Sequence, residues 1–347
     1  MNTLFIFAPS IYHGGGALLL KYLLEEMPEH FKVHLYTNNR IDISNILKGS
    51  VTISVVKLSL ISRICAEISL SRNVRDGDMV LCFGNLPPLF KVKGDITVFI
   101  QDRHLVDKKI SWDNLSFKET LRLFVIRAWL FAFRHKANRY FVQTISMKNL
   151  FENYLHIKAD CVPLVPISII KKNLNNKHNK YLRFNFIYVA SGEPHKNHIK
   201  LIAAWRILAE ENLFPSLALT LSSERDAKLI NYIDSESSKR GLKISNLGSL
   251  PYGDIVNLYQ NCDALIYPST FESFGLPLLE AQYLNLGIIA SELDYVRDII
   301  NPDETFDPHS SLSIARAVKR YMKVYIPIIK PVTPRDLFER LGKSNLI

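Results

Sequence analysis

The sequence is poor in the residues that would staple a small secreted or metal-built fold. Four cysteines, Cys65, Cys82, Cys161 and Cys262, are scattered over 347 residues. No CxxC pair and no regular histidine spacing accompany them, so neither a disulfide framework nor a metal site is expected, and reduced core thiols are. No uncharged apolar run reaches eighteen residues, which argues against a membrane-spanning helix. The apolar start, Met1 to Leu20, has no basic lead and is interrupted by Gly14, Gly15 and Gly16. It reads as a first strand and turn, not an export signal. The formal sequon at Asn114, Leu115 and Ser116 carries no weight without such a signal, and a cytoplasmic protein is expected. A helix-turn-helix, a zinc finger and a basic stripe interleaved with aromatics are also missing. Nucleic acid is therefore the weakest partner for the formal charge of +10, leaving anionic substrates or an anionic membrane surface.

What is present is a globular balance of 48% apolar and 22% charged residues, with chain enough for about two domains of ~150 residues. Thr3–Ala8, Asp78–Phe83 and Ile96–Ile100 are short continuous apolar runs, as strands buried on both faces of a parallel sheet would be. Phe31–Thr37 and Val51–Leu58 alternate, Arg139–Gln143 is a further strand, and Ala17–Met27 and Lys118–Asn138 read as helices. The polar stretch Leu174–Lys180, after Pro163 and Pro166, is the expected linker. The alternation then restarts. Strands are expected at Phe184–Ala190, Ser216–Leu221, Lys243–Leu247, Ala264–Tyr267 and Gly287–Ala290, and helices at Asn197–Glu211, Arg225–Arg240, Asp254–Asn261, Pro277–Leu284 and Ser310–Tyr325. The reading is α/β: two doubly wound domains, 1–170 and 171–325, with the tail of about 326–347 free to pack back on the first. Ligands of such sheets bind at the carboxyl ends of the strands, so two facing sheets make a cleft.

The most informative segment runs from Tyr267 to Ala281. It follows a strand and leads into a helix opened by Pro277, a favoured first helical residue. Phe274, Gly275 and Leu276 then offer backbone N–H groups at a helix start, where a diphosphate is well placed, and Gly275 permits close approach. Glu272 and Glu280 flank this anion site and can hold hydroxyl groups. Taken alone, two such acids would more often be a capping acid and a solvated helix residue; the surrounding frame favours the binding reading. Gly14, Gly15 and Gly16 similarly offer donors at a helix start, although the run is not GxGxxG and fits a plain tight turn equally well.

This segment resembles the signature of retaining glycosyltransferases of family 4 (glycosyl transferases group 1), which have the GT-B fold of two Rossmann-like domains facing across a cleft. The family's Glu, seven residues, Glu is met by Glu272 and Glu280. Leu247–Tyr259, Ile289–Asp298 and Phe306–Pro308 resemble the segments on either side, so the likeness is specific from about 184 to 325. The resemblance implies an acceptor-side domain at 1–170 and a nucleotide-sugar domain at 171–325. It implies that Glu272 contacts the donor sugar, Glu280 the ribose, and Lys196 the diphosphate, with His195 sharing that grip. Many members carry an Arg where this chain has Glu193. The family's glycine loop makes Gly14, Gly15 and Gly16 donor-facing. Its His-Asp pair after a mid-domain strand corresponds to an altered segment, Gln101 to His104, where Gln101, Asp102 and His104 are all catalytic candidates and a structural role is equally open for each.

The expected activity is transfer of a hexose from a UDP- or GDP-sugar to a glycan or lipid-linked acceptor, in bacterial O-antigen, lipopolysaccharide or capsule synthesis. No DxD-type site accompanies the motif, so neither metal nor cofactor is expected. The alternative is a catalytically silent nucleotide-sugar-binding partner subunit. Lys118–Arg139 carries Arg122, Arg127, Arg134, His135 and Lys136 among Leu, Phe and Trp. Such a helix fits peripheral contact with the anionic inner membrane, and equally a core helix with a basic wet face.

Overall fold

A computed structural model describes residues 3–12, 14–28, 30–43, 51–108, 117–165, 170–171, 183–324 and 333–335. Its first sheet comprises β1 (Thr3–Ala8), β2 (Lys32–Asn38), β3 (Val51–Val56), β4 (Met79–Cys82), β5 (Asp95–Ile100), β6 (Arg139–Val142) and β7 (Asp160–Cys161), in the order β3-β2-β1-β4-β5-β6-β7. The second comprises β8 (Phe184–Tyr188), β9 (Leu217–Leu219), β10 (Ile244–Asn246), β11 (Cys262–Tyr267), β12 (Gly287–Ser291) and β13 (Glu304–Phe306), in the order β10-β9-β8-β11-β12-β13. Every pairing is parallel. The α/β expectation therefore stands. In each sheet the chain winds out one way and then reverses, between β1 and β4 and between β8 and β11. Those reversals are where a doubly wound sheet opens a crevice at its carboxyl ends.

The helices are α1 (Gly14–Glu25), α2 (Leu60–Asn73), α3 (Phe117–Phe133), α4 (Ile145–Leu155), α5 (His198–Glu210), α6 (Ala227–Arg240), α7 (Tyr252–Gln260), α8 (Leu276–Tyr283), α9 (Asp294–Arg297) and α10 (Ser311–Tyr321) among the described residues. Three of these, α2, α4 and the four-residue α9, were not anticipated from the apolar pattern, yet α2 and α4 each carry an N-terminal signal. The Ser59 side chain accepts from the Ser62 N–H, and Thr144 Oγ1 from the Met147 N–H. The glycine run is not a turn ahead of the first helix; it forms the first turn of α1.

The long helix expected to Asn138 ends sooner, at Phe133, and a 3₁₀ turn over Arg134–Lys136 follows. Asn138 explains the stop: its N–H donates to the Ile96 carbonyl and its Oδ1 accepts from the Ile96 N–H, which pulls the chain into β6 beside β5. α3 packs one stripe on the core, but its wet face is apolar as well as basic. Leu130 is its one fully buried residue, with Leu123, Ile126 and Trp129 packed against the core. Phe117, 82% exposed, and Phe124, 66% exposed, share a second apolar face with Leu121 and Val125 at helical spacing. The linker at 174–180, the sequon at 114–116 and the tail beyond 335 lie outside the described residues.

The second sheet is anchored by Trp205 of α5. Its indole lies edge-on to Phe186, with centroids 5.7 Å apart, and its Nε1 donates to the Pro215 carbonyl at 2.9 Å. Trp205→Ala should lower the unfolding free energy by about 3–5 kcal/mol in urea titrations of the purified chain, and Trp205→Phe by clearly less. Equal losses for both would mean that the indole hydrogen bond, not the ring volume, carries the effect.

Candidate functional site

The two sets of strand ends face across a cleft of about 1080 Å³, at the upper end of the range for small-molecule sites. One wall is built by the loop between β11 and α8. Gly275 caps α8 in the left-handed region, φ +81°, a conformation other residues adopt only with strain. No side chain caps the helix; Pro277 has no N–H and the Leu278 N–H donates to the Gly275 carbonyl, so the N–H groups left at this helix start are those of Leu276 and the residues just before it. The helix begins at Leu276, one residue ahead of Pro277. The first turn of α1 meets it: a Cβ on Gly15 would sit 3.2 Å from Leu276 Cδ1. Two helix N-termini thus converge on one space, and their partial positive charges favour an anion there.

The loop leaving β8 supplies a full positive charge. Its short turn, Pro194–Lys196, is laced to the neighbouring loop through its backbone. The His195 carbonyl accepts from the Thr270 N–H at 2.8 Å and from the hydroxyls of Ser269 and Thr270, each at 3.1 Å. Tyr188 OH donates to the Lys196 carbonyl at 2.7 Å, and Asn197 Nδ2 reaches the carbonyls of Pro268 and Pro308. The result sets Lys196 Nζ 2.6 Å from Glu272 Oε1, which also accepts from Tyr267 OH at 3.0 Å. Both side chains of the ion pair are largely covered. Glu272 does not cap a helix.

Glu280 is not solvated. It is 4% exposed and lines the cleft through that sliver. Tyr252 OH donates to its Oε1 at 3.1 Å and Tyr259 OH to its Oε2 at 3.0 Å. Burial pushes the carboxyl up to about 7, against the downward pull of the two phenols. A carboxylate oxygen has a second lone pair, so each can still accept from a ligand hydroxyl.

The cleft brings together Gly14, Gly15, Gly16, Lys196, Glu272, Phe274, Gly275, Leu276 and Glu280. Asp102, His104 and His195 stand beside it in a cluster around Phe271. Asp102 Oδ1 accepts from the His104 N–H at 2.9 Å and lies 3.0 Å from its Nδ1, and this cap turns the imidazole onto Phe271, centroids 4.4 Å apart. His195 lies edge-on to His104; burial lowers its pKa and Lys196 adds to that. The same cluster joins the two halves. The Arg103 N–H donates to Ser273 Oγ at 2.8 Å, its guanidinium covers the Phe271 ring at 4.7 Å, and the Ser146 N–H donates to Asp298 Oδ2 at 2.7 Å.

Gln101, a candidate in the sequence, also lines the cleft; Gln143, Arg225 and Tyr252 are among the lining residues that the sequence reading did not name. Arg225 is a second base on the wall, opposite in sign to Glu193, whose carboxylate takes the Ser191 hydroxyl. Tyr252 alone had a local signal, as an aromatic at a helix start after Pro251. Among the described residues, no group of three His, Cys, Asp or Glu is placed to hold a metal ion, and no helix is long and apolar enough to cross a membrane.

The family model described as glycosyl transferases group 1 matches residues 169–326. The chain is 30% identical over 132 residues to the serotype-specific mannosyltransferase WbdA of Escherichia coli, covering 37% of this chain and 16% of that one. It is 24% identical over 173 residues to the O-antigen chain mannosyltransferase RfbU of Salmonella typhimurium, covering 47% of each. The chain thus spans less than half the length of these relatives. Anabaena Alr3699/HepE, solved in complex with UDP-glucose, superposes with a TM-score of 0.65 over 93% of this chain and 90% of that one, at 13% identity. The fold is GT-B.

Glu280 sets a pH dependence. Its folded pKa lies above the ordinary carboxyl value, so the folded state holds a proton that the unfolded chain has released between about pH 4.5 and 7. Its contribution to stability is therefore present at low pH and lost as pH rises through that window. Melting curves from about pH 5 to about pH 8 should show the wild type falling relative to Glu280→Gln. A gap that stays constant with pH would mean that Glu280 titrates normally.

Proposed function

Residues 169–326 carry a glycosyl transferases group 1 domain, and from that premise we propose that the chain is a retaining, metal-independent hexosyltransferase. Its donor is a nucleotide-diphosphate sugar, UDP- or GDP-linked, and its acceptor a glycan or lipid-linked glycan of bacterial surface-polysaccharide synthesis. The two mannosyltransferase relatives favour mannose as the hexose. One observation carries the reading: the Lys196–Glu272 pair lies beside two converging helix N-termini. A cation and two helix N-termini suit a diphosphate, and a carboxylate beside them suits sugar hydroxyls.

In this mechanism Glu280 accepts from the ribose hydroxyls and Glu272 from the sugar. As the bond between the sugar carbon and the diphosphate oxygen lengthens, negative charge grows on the leaving group. Lys196 and the N–H groups of Gly14–Gly16 and Phe274–Leu276 are already aimed at it, so little reorganisation is needed. Lys196 then shares its charge between Glu272 and phosphate. The acceptor hydroxyl attacks the face the diphosphate leaves and gives its proton to the departing phosphate oxygen, or a carboxylate displaces the diphosphate and is itself displaced by the acceptor hydroxyl; either preserves the anomeric configuration. Glu193 on the cleft wall favours a second reading, a silent nucleotide-sugar-binding subunit; donor hydrolysis without acceptor argues against it.

The same proposal places the protein at the cytoplasmic face of the inner membrane. Phe117, Leu121 and Phe124 project from α3 beside Lys118 and Arg122, an apolar face with basic neighbours on a chain of net charge +10. Co-sedimentation with anionic vesicles at low salt should be lost in Phe124→Asp; binding that is indifferent to the change would remove α3 from the contact.

Glu272→Ala should reduce transfer by about 10²–10³-fold while nucleotide binding persists or tightens, because Lys196 loses its competing anion. Near-normal turnover would sink the assignment. EDTA should leave activity intact; loss restored by a divalent ion would show that a metal is required after all.

A further inference from the structure

Tyr252 and Tyr259 both belong to α7 and stand seven residues apart. Seven residues make almost two full turns, so the two phenols leave the same face of the helix, about 10 Å apart along its axis. Both reach Glu280 of α8, one on each oxygen: Tyr252 OH donates to Oε1 and Tyr259 OH to Oε2. Their settings differ. Tyr259 is 1% exposed and packed in the hydrophobic core of the second sheet, whereas Tyr252 opens the helix and lines the cleft beside Glu280. The start of α7 is pinned by the Pro251 carbonyl, which accepts from the Asp254 and Ile255 N–H groups at 3.0 and 3.2 Å. The cleft-side phenol therefore hangs from a fixed point.

The grip decides what the carboxylate can do. A phenol occupies one lone pair on each oxygen, which fixes the plane of the group and leaves one acceptor on each, side by side. Two adjacent acceptors complement two adjacent hydroxyls, and a ring that lacks them leaves both acceptors unmet. The acceptors exist as a pair only while Glu280 is ionised, because a protonated carboxyl turns one oxygen into a donor. Burial works against ionisation, and the two phenols, the titratable groups that act on Glu280, work for it. We propose that Tyr252 is a positioning residue for the nucleotide: by holding Glu280 Oε1 it makes the carboxylate a reader of a cis-diol and the cleft selective for ribose over deoxyribose. The inference rests on the proposed function, which gives Glu280 to the ribose. It adds the residue that makes that reading selective.

Tyr252→Phe keeps the ring and removes the hydroxyl. Calorimetry on the full chain with UDP, GDP and their dideoxyribose counterparts reads the preference for ribose as a ratio of affinities. In wild type the ratio should clearly favour ribose. In Tyr252→Phe the ribonucleotide affinity should fall by about tenfold while the dideoxy affinity holds, so the ratio shrinks by that factor. The ratio should also follow pH: it grows as Glu280 ionises, and in Tyr252→Phe that growth moves to higher pH, because a donor that favoured the charged form has gone. Tyr252→Met, which also lacks the hydroxyl, serves if Tyr252→Phe does not fold. An equal loss for ribo- and dideoxynucleotides would make Tyr252 a purely structural residue and overturns the proposal, as does an unchanged ratio. A wild type without preference for ribose overturns the ribose reading of Glu280 itself, and the inference with it.

Discussion

The backbone oxygen of His195 accepts three hydrogen bonds from Ser269 and Thr270, and through it the loop leaving β8 is stitched to the loop leaving β11. Lys196 and Glu272 are far apart in the chain and meet because of that stitch. The tie uses backbone on one side, so it constrains position without dictating which side chain the next residue carries. The doubly wound topology does the coarse work of bringing two strand ends together, and the stitch sets the last ångströms. Asn197, held in the left-handed region, with its amide on the carbonyls of Pro268 and Pro308, keeps the turn from relaxing.

The cleft concentrates groups that a stability-optimised fold would avoid. Glu280 is almost fully buried and keeps its proton to about neutral pH. Gln101 Oε1 and Gln143 Nε2 lack hydrogen-bond partners, and two helix ends point their positive poles at one volume. Each arrangement costs free energy in the protein alone; under the proposed function, a bound donor would offset the cost of the converging helix ends and of Glu280. Sites of this kind gain selectivity from the same atoms that cost them stability.

Much of this could be read from the chain. Continuous apolar runs such as Thr3–Ala8 and Ile96–Ile100 announced parallel strands because both of their faces are covered. Glu272 and Glu280 stood out because their spacing is local, set by one turn and one helix. α2 did not stand out: its sequence mixes Ile and Leu with Ser and Arg, and much of its surface is wet. β7, at two residues, is too short for any pattern. Gln143 and Arg225 were invisible because their place on the cleft wall depends on strand order, which no local window contains. The glycine run was seen but misplaced, since only the packing of α1 against Leu276 draws it into the helix.

Beside the Ser146–Asp298 hydrogen bond, contacts that hold the two halves together sit on the motif loop itself. Arg103 grips Ser273 and covers Phe271, the residues flanking Glu272. Any swing of one half away from the other must therefore pull on that loop, so hinge motion and disassembly of the site are mechanically one event. Product escape and loss of the catalytic geometry would share a single barrier. Whatever braces the halves, such as an engineered cross-link, would lengthen the lifetime of the assembled state and slow exchange of whatever the cleft encloses.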